Sequence, residues 1–210
     1  MAEKDQRFIG LDLHKTYIVA AAVNGQQEVV LRPVRISLAE FPDWARRQLH
    51  RTDAVVLEAS TNAWFVYDLL EPLVARAIVV HPYHVKLIAA SMVKTDKIDT
   101  LVLAHLLAAN ILPAIWIPPH HVRELRALVA HRQRLTRQRT AAKNRLHSVL
   151  HRHSIVPPEG DLFSIAAQEW WGALPISGSE KLRVRHDLSI VGDLASLIGE
   201  VETELAQAST

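Results

Sequence analysis

The sequence predicts an α/β fold, a mixed five-stranded sheet with flanking helices, followed by an α-helical coiled-coil hairpin. Three observations carry this. Short apolar runs alternate with amphipathic stretches in the order β-β-β-α-β-α-β-α. Pro113, Pro118 and Pro119 then interrupt the chain. Beyond them, from His120 to His153, nothing breaks a helix. The expected division is a sheet domain over 1–119 and a helical region over 120–210.

The first strand is expected in Phe8-Ile9-Gly10-Leu11-Asp12-Leu13-His14. Alternation puts Ile9, Leu11 and Leu13 on one face, and Phe8, Gly10, Asp12 and His14 on the other. Residues Thr16 to Val23 are β-branched and Ala-rich and read as a second strand. Asn24-Gly25 signals a tight turn into a third strand, Glu28 to Ile36, completing an antiparallel meander. Ser37 with Glu40 three residues on resembles a capping box, opening a helix from Leu38 to about Arg51.

Ala54-Val55-Val56-Leu57-Glu58-Ala59 is continuously apolar up to its acid, as expected of a buried parallel strand. A helix over 63–75 and a short strand over 77–80 follow. Helices are expected over 83–93 and 101–111, with Lys94-Thr95-Asp96-Lys97-Ile98-Asp99-Thr100 between them. In the helical region Leu125, Leu128, Arg132, Leu135, Arg139, Ala142, Leu146 and Val149 recur at alternating spacings of three and four. That is a heptad seam with two arginines in it, an imperfect one that leaves a helical hairpin, a loose dimer and a long zipper open. Pro157 and Pro158 end the helix, and a second amphipathic helix is expected from Asp187 to Ala208.

Composition excludes several classes. Hydrophobic residues make up 49% of the chain, which rules out general disorder. There is no cysteine, hence no disulfide and no thiolate metal site. The first seven residues are polar and charged, without a signal-peptide core. The longest apolar stretch, Leu101 to Ile117, contains His105, Asn110 and Pro113, so no membrane association is expected. No Walker loop or zincin helix is present. Charge is segregated within the net +2. Residues 121–153 hold nine basic side chains and one acid, whereas residues 154–210 hold three basic side chains and nine acids.

An unpaired carboxylate inside a sheet costs several kcal/mol unless it is paired or bound to a cation. Asp12 therefore needs a partner. If the first and fourth strands are neighbours, Asp12 and Glu58 lie side by side. Asp96 and Asp99, three apart at a helix start, share one face. Four such acids brought together would repel one another without a cation, and Mg²⁺ or Mn²⁺ suits an all-oxygen set. Two such ions at a phosphodiester can activate a nucleophile and stabilise a leaving oxygen. The competing reading makes Asp12 a strand-end acid that reaches water or caps a turn, Asp96 a helix cap, Asp99 a first-turn acid and Glu58 a strand-end surface acid.

The motifs Phe-Ile-Gly-Leu-Asp12-Leu-His-Lys, Val-Val-Leu-Glu58-Ala-Ser and Lys94-Thr-Asp96-Lys-Ile-Asp99 strongly resemble the DEDD transposases of bacterial insertion sequences, the bridge-RNA-guided recombinases. Arg137 to Leu146 is similar to that family's coiled-coil segment. The resemblance implies a ribonuclease-H-like (RuvC-like) domain with Asp12, Glu58, Asp96 and Asp99 as catalytic, metal-binding acids. It implies Mg²⁺ or Mn²⁺, DNA and a guide RNA as partners, a homodimer or higher homo-oligomer through the coiled coil, and a bacterial cytoplasmic, nucleoid-associated setting. Where the family usually has Ala-Thr-Gly, this chain has Ala59-Ser60-Thr61, a different turn. The family's serine nucleophile lies in a C-terminal domain, expected to be missing from these 210 residues.

Arg132, Arg134, Arg137, Arg139, Lys143 and Arg145 are expected to bind nucleic-acid phosphates. The competing reading is a solvated face neutralised by the acidic second helix. His147 and His151, four apart, are expected to supplement the basic surface. The expected function is metal-dependent DNA strand cleavage and exchange in transposition. The alternatives are a non-catalytic nucleic-acid-binding dimerisation module and a Holliday-junction-resolvase-like nuclease.

Overall fold

The computed structural model describes residues 6–92 and 100–208. The chain forms two compact units, Met1–Ile117 and Pro118–Thr210. The first is an α/β unit whose five-stranded sheet has the order β3-β2-β1-β4-β5. Strands β1 (Arg7–Leu13), β2 (Tyr17–Asn24) and β3 (Val29–Ser37) form the antiparallel meander. Strands β4 (Ala54–Glu58) and β5 (Arg76–Val80) add in parallel on the other side of β1. This mixed, helix-flanked sheet is ribonuclease-H-like.

The alternation in β1 sorts its side chains onto two apolar layers. Ile9 and Leu11 join Ile18, Val55 and Leu57 beneath helices α1 (Phe41–Gln48) and α2 (Ala63–Leu70). On the opposite face Ala54, Val56, Ile78 and Val80 meet Val85 of α3 (Pro82–Met92) and Leu103, Leu106 and Leu107 of α4 (Thr100–Ala108). Each fully buried Leu or Val contributes about 1.5–3 kcal/mol, so two covered faces make this sheet the stable platform of the unit.

Gly10 sets how closely α4 lies on β1. A Cβ at Gly10 would stand 2.2 Å from the carbonyl oxygen of Thr100 and 2.9 Å from Leu103 Cβ. No larger residue fits without moving the helix. The first turn of α4 therefore rests on the face of β1 that carries Phe8, Gly10 and Asp12.

Local chemistry moved several boundaries. The Asn24-Gly25 connection is not a two-residue turn. Asn24 Oδ1 accepts from the backbone of Gln26 and Glu28, both at 2.9 Å, and Gln27 takes the left-handed conformation at φ 66°. The Asn side chain thus replaces backbone bonding and lengthens the loop. Ser37 Oγ accepts from Glu40 N at 3.3 Å, but in a turn that precedes the helix. The helix itself starts at Phe41, beside a proline in its first turn.

The second unit is a helical hairpin. Helix α5 (His120–Arg152) runs antiparallel to α7 (Gly178–Gln207), with a short helix α6 (Gln168–Ala173) between them in sequence. Arg132 pairs with Glu202, Arg145 with Asp187 and Arg152 with Glu180, so contacts descend along one helix as they climb the other. Leu146 and Val149 pack with Val184 and Val191, and Leu135 packs with Leu194 and Ile198. Trp171, 1% exposed, closes this core and donates its indole N–H to the Leu162 carbonyl at 2.7 Å. Helix α7 begins nine residues before the expected Asp187, because Ser177 Oγ caps it by accepting from Glu180 N at 3.3 Å. Among the described residues no helix is long and apolar enough to cross a membrane.

Candidate active site

The site is built at the carboxyl-terminal ends of β1 and β4. The parallel register pairs Gly10 with Val56 and Leu11 with Leu57. The next step along both strands sets Asp12 beside Glu58 on strands roughly 4.8 Å apart. Both acids belong to the face covered by α3 and α4, since Gly10 and Val56, two residues earlier, lie under those helices.

The two carboxylates differ in their surroundings. Asp12 Oδ2 is 2.9 Å from His14 Nε2, and both side chains are about two-fifths exposed, 43% and 40%. The imidazole is fixed from behind. It stacks on Tyr17 with ring centroids 4.2 Å apart, and the Arg35 guanidinium lies 3.6 Å above the same Tyr17 ring. Glu58 is half-buried, and no described residue hydrogen-bonds to its carboxylate. Burial raises its proton affinity above the ordinary carboxyl range, and the charge of Asp12 raises it further. The ammonium of Lys86, on α3, pulls in the opposite direction.

A third acid shows how the same sheet treats a carboxylate that serves structure. Asp53, fully buried at the other end of β4, is gripped by Arg7 through Nε at 2.9 Å and Nη2 at 2.6 Å. It also accepts from His50 N at 2.7 Å. Removing one partner of such a pair costs about 3–5 kcal/mol, so the bond is a structural clamp between β1 and β4. The Asp12 and Glu58 end has no arginine against it among the described residues. Two adjacent carboxylates with no guanidinium offer a hard, oxygen-only donor set.

Asp96 and Asp99 lie outside the described residues. Among the described residues no group of three or more His, Cys, Asp or Glu side chains gathers in metal-binding geometry. The described chain resumes at Thr100, which is buried on β1 two residues before Asp12 in that strand.

The basic residues of α5 divide into two sets. Arg132 bonds Glu202 through Nε at 2.8 Å, and Arg145 bonds Asp187 through Nε at 2.9 Å, raising the proton affinity of the Arg145 guanidinium. Lys143 sits 4.2 Å over the ring of Phe163. Arg134 and Arg137 are exposed, and Arg139 is half-buried in the helix. His147 lies edge-on to Phe163, with centroids 5.6 Å apart.

Sequence reasoning had not singled out His14, Lys86 or Asp53. The signal for His14 was its place two residues after Asp12, on the same side of the strand. The signal for Asp53 was a second acid one residue before a fully apolar strand. Lys86 carried no distinguishing pattern.

Compared with known protein families, residues 9–155 match the transposase family of IS110-type DEDD enzymes. No curated protein matches the chain.

Proposed function

Since this chain belongs to the IS110-type DEDD transposase family, we propose that it carries the metal-dependent strand-cleaving centre of a DNA transposase, with Asp12, Glu58, Asp96 and Asp99 as its acids. The observation that carries this reading is the contrast within one sheet. Asp53 is neutralised by arginine, whereas Asp12 and Glu58 stand together with raised proton affinity at Glu58. A site that makes two anions adjacent is relieved by a divalent cation.

Mg²⁺ or Mn²⁺, held by these carboxylates, would supply Lewis-acid stabilisation of charge at a DNA phosphodiester. The protein's own part is placement. β1 and β4 hold Asp12 and Glu58 in register, and Tyr17 with Arg35 fixes the imidazole that orients Asp12. Gly10 lets the start of α4 approach that face, bringing in the chain that follows Asp96 and Asp99.

Guide-RNA binding and completion of strand exchange by a serine-bearing domain follow from the resemblance and belong to the same proposal. The exposed Arg134 and Arg137 on α5 would supply RNA or DNA phosphate contacts. Ile190 and Leu197 of α7, 40% and 43% exposed, support self-association through the hairpin.

Calorimetric titration with Mn²⁺ tests the centre. The wild-type chain should bind, and Asp12→Ala should weaken binding at least tenfold while retaining the wild-type circular dichroism spectrum. Equal affinity in the folded variant would remove the proposed metal site.

A further inference from the structure

A cleft of about 350 Å³ opens at the same end of the sheet, and the acids do not line it. Its walls are His14 and Lys15 of the β1–β2 turn and Ser60, Thr61 and Asn62 of the loop after β4, over a floor that includes Leu38. We propose that this cleft is a phosphate subsite, in which Lys15, beside Thr61 and the bonded Ser60–Asn62 pair, grips the backbone of the DNA strand next to the phosphate at the acids. The inference rests on the reading of Asp12 and Glu58 as the strand-cleaving centre.

The chemistry of the walls fits a phosphodiester. Lys15 is exposed and has no ion-pair partner among the described residues, in a turn whose neighbours are held firmly. His14 N donates to Tyr17 O at 2.9 Å, and Leu38 N donates to Thr16 O at 3.1 Å. Opposite, Asn62 ties the two walls together. Its Nδ2 donates to the His14 carbonyl at 3.4 Å, and its Oδ1 accepts from Ser60 Oγ at 2.9 Å. Because Asn62 is spent on this bridge, it does not cap α2 with its side chain, although it occupies the N-cap position. Asn62, the N-cap residue of α2, lines the cleft together with Lys15, so the amino-terminal end of that helix and a lysine border the same space, which favours an anion.

Position decides which anion. β1 and β4 are parallel and end together, so Lys15 lies three residues past Asp12 and Ser60 two past Glu58. At the extended-chain rise those steps span roughly 7–10 Å at most. His14, which lines the cleft and lies 2.9 Å from Asp12 Oδ2, links the two positions around the strand ends, so a phosphate in the cleft would lie close to one at the acids. The cleft is near the small end of the roughly 300–1,000 Å³ typical of ligand pockets, which suits backbone contact better than capture of a whole base and sugar.

The test uses the full chain with a fluorescein-labelled 30-base-pair DNA duplex, titrated across a range of NaCl concentrations. Lys15→Gln should weaken binding about three- to tenfold and flatten the slope of log affinity against log salt by about 0.9, one phosphate contact. Lys15→Arg should restore the slope, and Arg51→Gln, an exposed charge elsewhere, should leave it unaltered. Mn²⁺ affinity and thermal stability of Lys15→Gln should match wild type. An unchanged slope in Lys15→Gln, with Mn²⁺ binding lost in Asp12→Asn, would overturn the subsite and leave the carboxylate centre standing. A flattened slope with Mn²⁺ binding intact in Asp12→Asn would overturn the carboxylate centre, and the subsite with it.

Discussion

Glu58 sits where burial and Asp12 disfavour its charge, and that has a measurable consequence. Folding raises its proton affinity, through burial first and Asp12 second. A carboxyl raised on folding contributes stability below its unfolded value, near 4.5, and loses it as pH rises through the folded value. Above the unfolded value the raised proton affinity therefore works against folding. In chelator at pH 7.5, Glu58→Gln should raise Tm, by about 1–4 °C for a chain of this size. Added Mn²⁺ should raise wild-type Tm more than that of the variant, since binding to the folded state alone stabilises it. Scanning calorimetry in both buffers checks this, and a lower Tm for the variant in chelator would count against crowding at Glu58. Alternation and an apolar run placed Asp12 and Glu58 on their strands without tertiary knowledge, whereas reading them as one site needed the family resemblance. His14 and Lys86 were not legible, because their roles come from one ring stack and one helix placement that no local pattern encodes.

At the scale of elements, the hairpin shows why a basic helix is not all binding surface. Its heptad apolar positions were readable, and Leu135, Ala142, Leu146 and Val149 are buried as that spacing expects. The start of α7 was missed. Ser177 with Glu180 is a capping pair, but polar residues such as Lys181, Arg183 and Arg185 around Leu182 and Val184 obscured the amphipathic pattern. Glu180 also receives Arg152 Nη2 at 2.7 Å and the imidazole of His153. These bonds, Arg152 foremost, hold its carboxyl below the ordinary range. A carboxyl lowered on folding contributes stability above about pH 4.5, lost as pH falls through the folded value. Glu180→Gln should therefore lower the melting temperature of the 118–210 unit at pH 7, on the order of 1–3 °C. The gap from wild type should narrow as pH falls below about 4.5 and through the folded value. Circular dichroism melts at pH 7, 5 and 3 measure it, and a gap no smaller at pH 3 than at pH 7 would assign the effect to helix capping rather than to the ion pairs.

For the whole molecule, charge and apolar clusters are distributed differently over the two units. Met1–Ile117 has two apolar layers on its sheet, and Pro118–Thr210 has a core around Leu146, Trp171 and Val191. A unit with its own core can fold by itself. The prolines at 113, 118 and 119 marked the change in the sequence because a helix cannot run through them. Whether distant segments meet cannot be derived from spacing, since it depends on packing such as that of α4 at Gly10; Asp96 and Asp99 themselves lie outside the described residues. If the acids form the metal centre, its binding should belong to the first unit alone. Expressed separately, 1–117 should show the Mn²⁺-dependent rise in Tm of the full chain, with affinity within about threefold. The 118–210 fragment should be helical and insensitive to Mn²⁺. It should still bind nucleic acid with a salt-dependent affinity, because Arg134 and Arg137 remain exposed on α5. Calorimetry and fluorescence anisotropy on the two fragments separate these activities. Mn²⁺ binding by the full chain but not by a folded 1–117 fragment would mean that the second unit supplies part of the metal site, and the assignment to Asp12, Glu58, Asp96 and Asp99 would have to be redrawn.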